Sequence, residues 1–223
     1  MLDSLFFKVS SSSTESPLVF ISDKMWFEDA EPQDRFTANV MIDIYGYEED
    51  TPDDDLENSK IKIGELNGIY FDLEYAVNEG ERLVDIFDDL SQDAMELYQT
   101  IYDERENDKA NIFELNFNIF DIQYIFIRKK YRNHGIGSAI IQHLEEILKS
   151  TLRFNVGCFV TIPLPTKITK KNGITEINYI REDKKEIAQL RKFIRNCGYR
   201  SIENSEYLYK NTERIDLNIK IIK

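Results

Sequence analysis

Between an apolar run, Ile122 to Ile127, and an amphipathic stretch, Ser138 to Leu148, the chain reads Arg132-Asn133-His134-Gly135-Ile136-Gly137-Ser138. A strand, a tight glycine-containing turn and a helix are expected there, an order that cradles a phosphate. Glycine lets the backbone approach a ligand closely. The first turn of the helix offers unpaired N–H groups and the positive end of its dipole. A phosphate-bearing cofactor is the first expectation, and turn chemistry ahead of a helix is the ordinary alternative.

What the loop lacks narrows the choice. A P-loop places a lysine and then Ser or Thr directly after its second glycine, whereas Gly137 is followed by Ser138-Ala139. A dinucleotide fingerprint needs a third glycine three residues after Gly137, and that residue is Ile140. What remains is Arg-x-x-Gly-x-Gly at a strand-to-helix junction, preceded by Tyr131. This resembles the acyl-CoA loop of the GNAT superfamily of N-acetyltransferases, whose pattern is Gln/Arg-x-x-Gly-x-Gly/Ala. A second match lies downstream in Phe193-Ile194-Arg195-Asn196-Cys197-Gly198-Tyr199, similar to that family's helix-end signature closing in Gly-Phe. The likeness covers roughly 111–210 and is loose over the first hundred residues.

The resemblance implies an α+β fold, a mostly antiparallel central sheet flanked by helices, with splayed strands at the cofactor slot. It implies one domain over 1–223. Its acetyl-CoA-binding core is 111–210, and its divergent N-terminal half, 1–110, carries an acidic loop at 48–58. It implies acetyl-CoA (CoA) as cofactor, held by Ile125, Ile127, Arg132, Asn133, His134, Gly135, Ile136, Gly137 and Ser138. The implied reaction is acetyl transfer to a primary amine on a small molecule or a protein. The backbone N–H of Ile127 corresponds to the family's oxyanion donor. Asp121, near the start of the central strand and of the same strand parity as Gln123 and Ile127, is the candidate base. Glu114, on a preceding strand over 113–117, is the second. The family's proton-donating tyrosine is replaced by Ile194, and Cys197 and Tyr179 are substitutes by residue type alone. A non-catalytic acyl-CoA-binding module with the same fold is the competing reading.

The rest of the chain bounds these readings. With 28 basic and 41 acidic residues the net charge is −13, which argues against nucleic acid and anionic membranes as partners. No apolar run approaches the length of a membrane span. Met1 to Ser16 does not read as a signal peptide, so a cytoplasmic location and reduced thiols at Cys158 and Cys197 are expected. Neither His134 nor His143 belongs to a cluster with zinc spacing or to a Ser-His-Asp arrangement, so no metal is expected.

Local patterns give the remaining elements. Ser10 to Ser13, with Thr14, reads as a linker before a strand at Pro17 to Ser22. Val40, Ile42 and Ile44 share one face of a strand from Phe36 to Tyr47. Ile61 to Glu65 reads as a strand entering a turn at Leu66-Asn67-Gly68, with Ile69 to Tyr75 returning. Glu81 to Asp103 carries two helical stripes, with Ser91 able to cap the second. A strand is expected from Phe154 to Ile162, and Asn172-Gly173 centres a hairpin over Ile168 to Tyr179. A helix spans Glu182 to Asn196 with Ile187, Leu190, Phe193 and Ile194 inward and Gly198 ending it. Tyr207 to Tyr209 and Ile215 to Ile221 are closing strands, the latter apolar enough for a homodimer contact.

Overall fold

The computed structural model describes residues 2–12, 35–48, 61–171 and 174–212, with side chains outside 2–12, 47–48 and 168–178. The expected strands at 17–22 and 215–221, and the acidic loop apart from its first residue, Glu48, lie outside the described residues. One sheet takes strands from both halves of the chain. They are β1 (Leu2–Ser12), β2 (Thr37–Glu48), β3 (Ile61–Phe71), β4 (Ile119–Ile127), β5 (Cys158–Thr161), β8 (Arg200–Ser201) and β9 (Leu208–Asn211). Their spatial order is β1-β2-β3-β4-β5-β9-β8. Only the central pair, β4 with β5, is parallel. A separate hairpin pairs β6 (Thr166–Lys171) with β7 (Ile174–Tyr179). The longer helices among the described residues are α1 (Leu73–Glu79), α2 (Leu83–Leu90), α3 (Gln92–Ile101), α4 (Ile136–Leu152) and α5 (Lys184–Asn196), with a single 3-10 turn at Lys129–Tyr131. None of them is long and apolar enough to cross a membrane. This is the mixed α+β, mostly antiparallel architecture expected from the sequence.

Each face of the sheet has its own core. Val40, Ile42 and Ile44 pack with Ile136, Ile140, Ile141, Leu144 and Leu148 of α4 and with Ile194 of α5. On the opposite face Phe71, Ile119 and Val160 pack with Phe87 of α2 and with Leu97 and Ile101 of α3. Ser91 breaks the second helical region in two and caps α3, its hydroxyl accepting from the Ala94 N–H at 3.1 Å.

Four expectations are corrected. Ser10 to Ser12 end β1 rather than forming a linker. Residues 61–71 are one strand, not two arms of a turn. Gly68 is where β3 meets β4 closely, since a Cβ there would lie 2.5 Å from the Phe120 ring. After Phe71 the chain turns helical because the Asp72 carboxylate caps α1. Residues 113–117 form no strand, and side chains take backbone N–H groups at and beside both ends of the segment. The Asp108 carboxylate accepts the N–H groups of Ile112 and Phe113, and Asn116 Oδ1 accepts that of Asn118. Such local bonds compete with a strand ladder.

Candidate functional site

The site begins where β4 loses a neighbour. Its first residues pair on both sides, with β3 and with β5, and the β5 pairing ends at Ile122 and Thr161. Thr161 closes that ladder by donating its hydroxyl to the Ile122 carbonyl at 2.9 Å. Beyond it the chain after β5, Ile162 to Pro165, diverges toward the β6–β7 hairpin. A cavity of about 570 Å³ occupies the gap, floored by Ile122 to Ile127 and walled by Pro163, Leu164 and Pro165. Leu190, Phe193 and Ile194 of α5 complete it. The apolar stripe of α5 therefore divides: Ile194 is buried, while Leu190 and Phe193 are part-exposed cavity walls.

Backbone alternation supplies the slot with hydrogen-bonding groups. The Arg128 N–H donates to the Ile63 carbonyl at 2.8 Å. Neighbouring residues of a strand face opposite ways, so the peptide groups of Ile127 and Ile125 turn from β3 toward the side β5 has left. The Ile127 carbonyl accepts Arg132 Nε at 2.7 Å.

The loop lies at the other end of the cavity. Gly135 is the N-cap of α4 at φ 79°, a left-handed conformation that favours glycine, and a Cβ there would meet open space. No side chain caps α4, so its first N–H groups are left to an anion or to water. Gly137 has another constraint, since a Cβ would come within 3.3 Å of Phe193 Cζ and tighten the α4–α5 contact. Arg128, Lys129, Lys130 and Arg132 are exposed around this end, a local excess of positive charge in a chain of net −13.

Ile125, Ile127, Arg132, Asn133, Gly135, Ile136, Gly137 and Ser138 all line the one cavity. His134 does not: it is exposed, with its ring Nδ1 2.8 Å from the Arg132 carbonyl. Glu114 is not brought to the site. It is exposed near the opposite end of β4 and β5, where its carboxylate accepts Asn211 Nδ2 at 3.4 Å.

Asp121 does not line the cavity, although its neighbours Ile122 and Gln123 do, and it lies on an unexpected face. Its register places one extra residue of β4, Gln123, between the residues paired with Asn67 and Gly68. A bulge of this kind resets the side-chain alternation. Asp121 consequently shares the face of Ile119, toward α3, while Ile125 and Ile127 pack with the core on the α4 face. The parity expected from simple alternation fails for that reason. Asp121 is buried, 6% exposed. Burial pushes its pKa up to about 7, the Gln123 hydrogen bond opposes the rise, and Asp93 adds to it.

Of the substitutes for the absent tyrosine, Cys197 is buried and its thiol is pushed up by that burial. Tyr179 reaches the slot edge, donating to Gln123 Oε1 at 3.2 Å. Sequence reasoning did not single out Gln123, the cations at 128–130 or the wall at 163–165. The run Arg128-Lys129-Lys130 and the lone amide inside an apolar strand were the available signals.

Residues 109–162 match the model of the acetyltransferase (GNAT) family. The match spans β4, the loop, α4 and β5, about a quarter of the chain. No curated protein matches the sequence. The solved structure of AtaTR bound with AcCoA is similar at 10% identity and a TM-score of 0.36, over 81% of this chain and 70% of that one.

Proposed function

We propose that the protein is an acetyl-CoA-dependent N-acetyltransferase acting on a primary amine. The observation that carries this reading is the parting of β4 and β5 after Ile122 and Thr161. It turns the peptide groups of Ile125 and Ile127 onto a cavity that ends at the uncapped N-terminus of α4. The residues fit the cofactor. Open space at Gly135 admits a phosphate to the first N–H groups of α4, and Arg128, Lys129, Lys130 and Arg132 supply charge for it. The extended arm would lie along Ile125 and Ile127, against Pro163, Leu190 and Phe193.

Acetyl-CoA supplies an activated acetyl group as a thioester. The Ile127 N–H is the donor we assign to the oxygen that gains charge. An amine must lose a proton to become nucleophilic, and Asp121 is the group assigned to take it through intervening water, because six residues of strand, roughly 15–20 Å, separate it from Ile127. A carboxylate titrating near 7 is matched to that work at neutral pH.

The competing reading, a non-catalytic acyl-CoA-binding module, is favoured by Ile194, which presents no hydroxyl to the cavity. Following free CoA thiol while acetyl-CoA and a panel of amines are supplied separates the two. Amine-dependent thiol release that drops in Asp121→Asn supports the enzyme. Tight acetyl-CoA binding with no release across the panel supports the module.

A further inference from the structure

We infer that Gln123, the residue β4 gains at its bulge, is a positioning residue that orients Asp121 and ties it to the β6–β7 hairpin through Tyr179. This rests on the reading of Asp121 as the base.

The geometry is a chain of three side chains. Gln123 Nε2 donates to Asp121 Oδ2. Gln123 Oε1 accepts the Tyr179 hydroxyl at 3.2 Å, and the Gln123 carbonyl lies 3.5 Å from the same hydroxyl. One orientation of the amide serves both partners, because an ionised carboxylate can only accept and the phenol donates. The bulge makes the chain possible. Without the extra residue β4 would keep its regular ladder, and it is the bulged position that re-aims a side chain. Tyr179 is itself fixed at the foot of the hairpin, opposite Thr166, with the Ile180 N–H held by the Pro165 carbonyl at 2.8 Å.

The surroundings leave this work to Gln123. Asp121's sheet partners are Ile69 and Val160, which offer the carboxylate no side-chain donor. Asp93 of α3 faces it with like charge, and Tyr179 and Tyr207 stand near it with their phenols held protonated by burial. Arg181, the nearby cation, is bound to Glu206. The Gln123 amide is thus the neutral donor that favours the ionised, proton-accepting form of Asp121. Movement of the hairpin would reach the base through Tyr179.

The test titrates the Asp121 carboxyl by carbon NMR in the free protein, with Asp121→Asn identifying its resonance. Gln123→Met should raise the midpoint by about one unit, and Tyr179→Phe should raise it by less. Tyr179→Phe removes one oxygen and keeps the ring, so it preserves the test if Gln123→Met does not fold. The acid limb of kcat/KM should move by the same amount in each variant. A midpoint unchanged in every folded variant overturns the proposal. A midpoint that shifts while the kcat/KM limb stays in place upholds the positioning of Asp121 and overturns its role as base, which distinguishes the two failures.

Discussion

The two halves of β4 are one strand with two fates. Ile119 to Ile122 are paired on both sides, by β3 and β5, and are buried. Tyr124 to Ile127 keep only β3, Gln123 is the bulge residue between the two halves, and all five line the cavity. Their compositions are much alike, so hydrophobicity does not separate core from site here. The difference lies in the short partner. β5 has four residues, and where it stops, backbone groups that a full ladder would consume become available to a ligand. A site can therefore be made from strand backbone alone, by ending a neighbour early.

The doubly paired half should be the more sensitive to truncation. Phe120→Ala empties a fully buried ring site beside Phe159 and should lower the unfolding free energy in urea by about 3–5 kcal/mol. A loss below 1 kcal/mol would mean this half is not the rigid one.

Asp121 stands at the boundary, and its contribution has a sign. Its folded pKa, about 7, exceeds the unfolded value of about 4. The folded state thus holds a proton that the unfolded chain has released between those two pH values. This stabilisation is fully present below pH 4 and is lost as the pH rises to 7, with a slope of at most about 1.4 kcal/mol per unit. Urea unfolding across pH 4 to 8 should show the wild type losing stability relative to Asp121→Asn in that window. Parallel profiles would place Asp121 in a solvated setting.

On the open half, Gly135→Asp adds a negative charge where phosphates are expected and a side chain at φ 79°. Calorimetric affinity for acetyl-CoA should fall at least about a hundredfold, since juxtaposing like charges across a binding surface costs several kcal/mol. Unchanged affinity would remove the loop from the site. The smallest effect is expected at the junction itself. Thr161→Val deletes one hydroxyl bond to the Ile122 carbonyl, and urea unfolding should record a loss of about 1 kcal/mol. A loss of several kcal/mol would show that this bond holds the parting strands together.

The loop, the helix after it and the apolar central strand were legible because each has a local signature. Arg132 to Ser138 combined glycines with a change of period, and α4 carried its stripe openly. What was not legible depended on partners distant in sequence. Gly68 read as a turn because close approach to Phe120 has no local sign. Residues 113–117 alternate like a strand, yet Asp108 and Asn116 hold the N–H groups of Ile112, Phe113 and Asn118 at its ends. Asp121 was placed on the wrong face because a period of two cannot reveal an extra residue, and Gln123 is that residue. Gly137 read as room for a ligand, while the packing it permits is with Phe193, some fifty-six residues later.

We read the gap between β4 and β5, with the N-terminus of α4, as an acyl-CoA site. The most direct measurement is the melting temperature alone and with acetyl-CoA, CoA or NAD, since a ligand that binds only the folded state raises it by mass action. The melting temperature should rise with acetyl-CoA and with CoA and stay unchanged with NAD. No shift with either CoA species, at concentrations well above micromolar, would contradict that reading and leave the loop as a turn ahead of a helix.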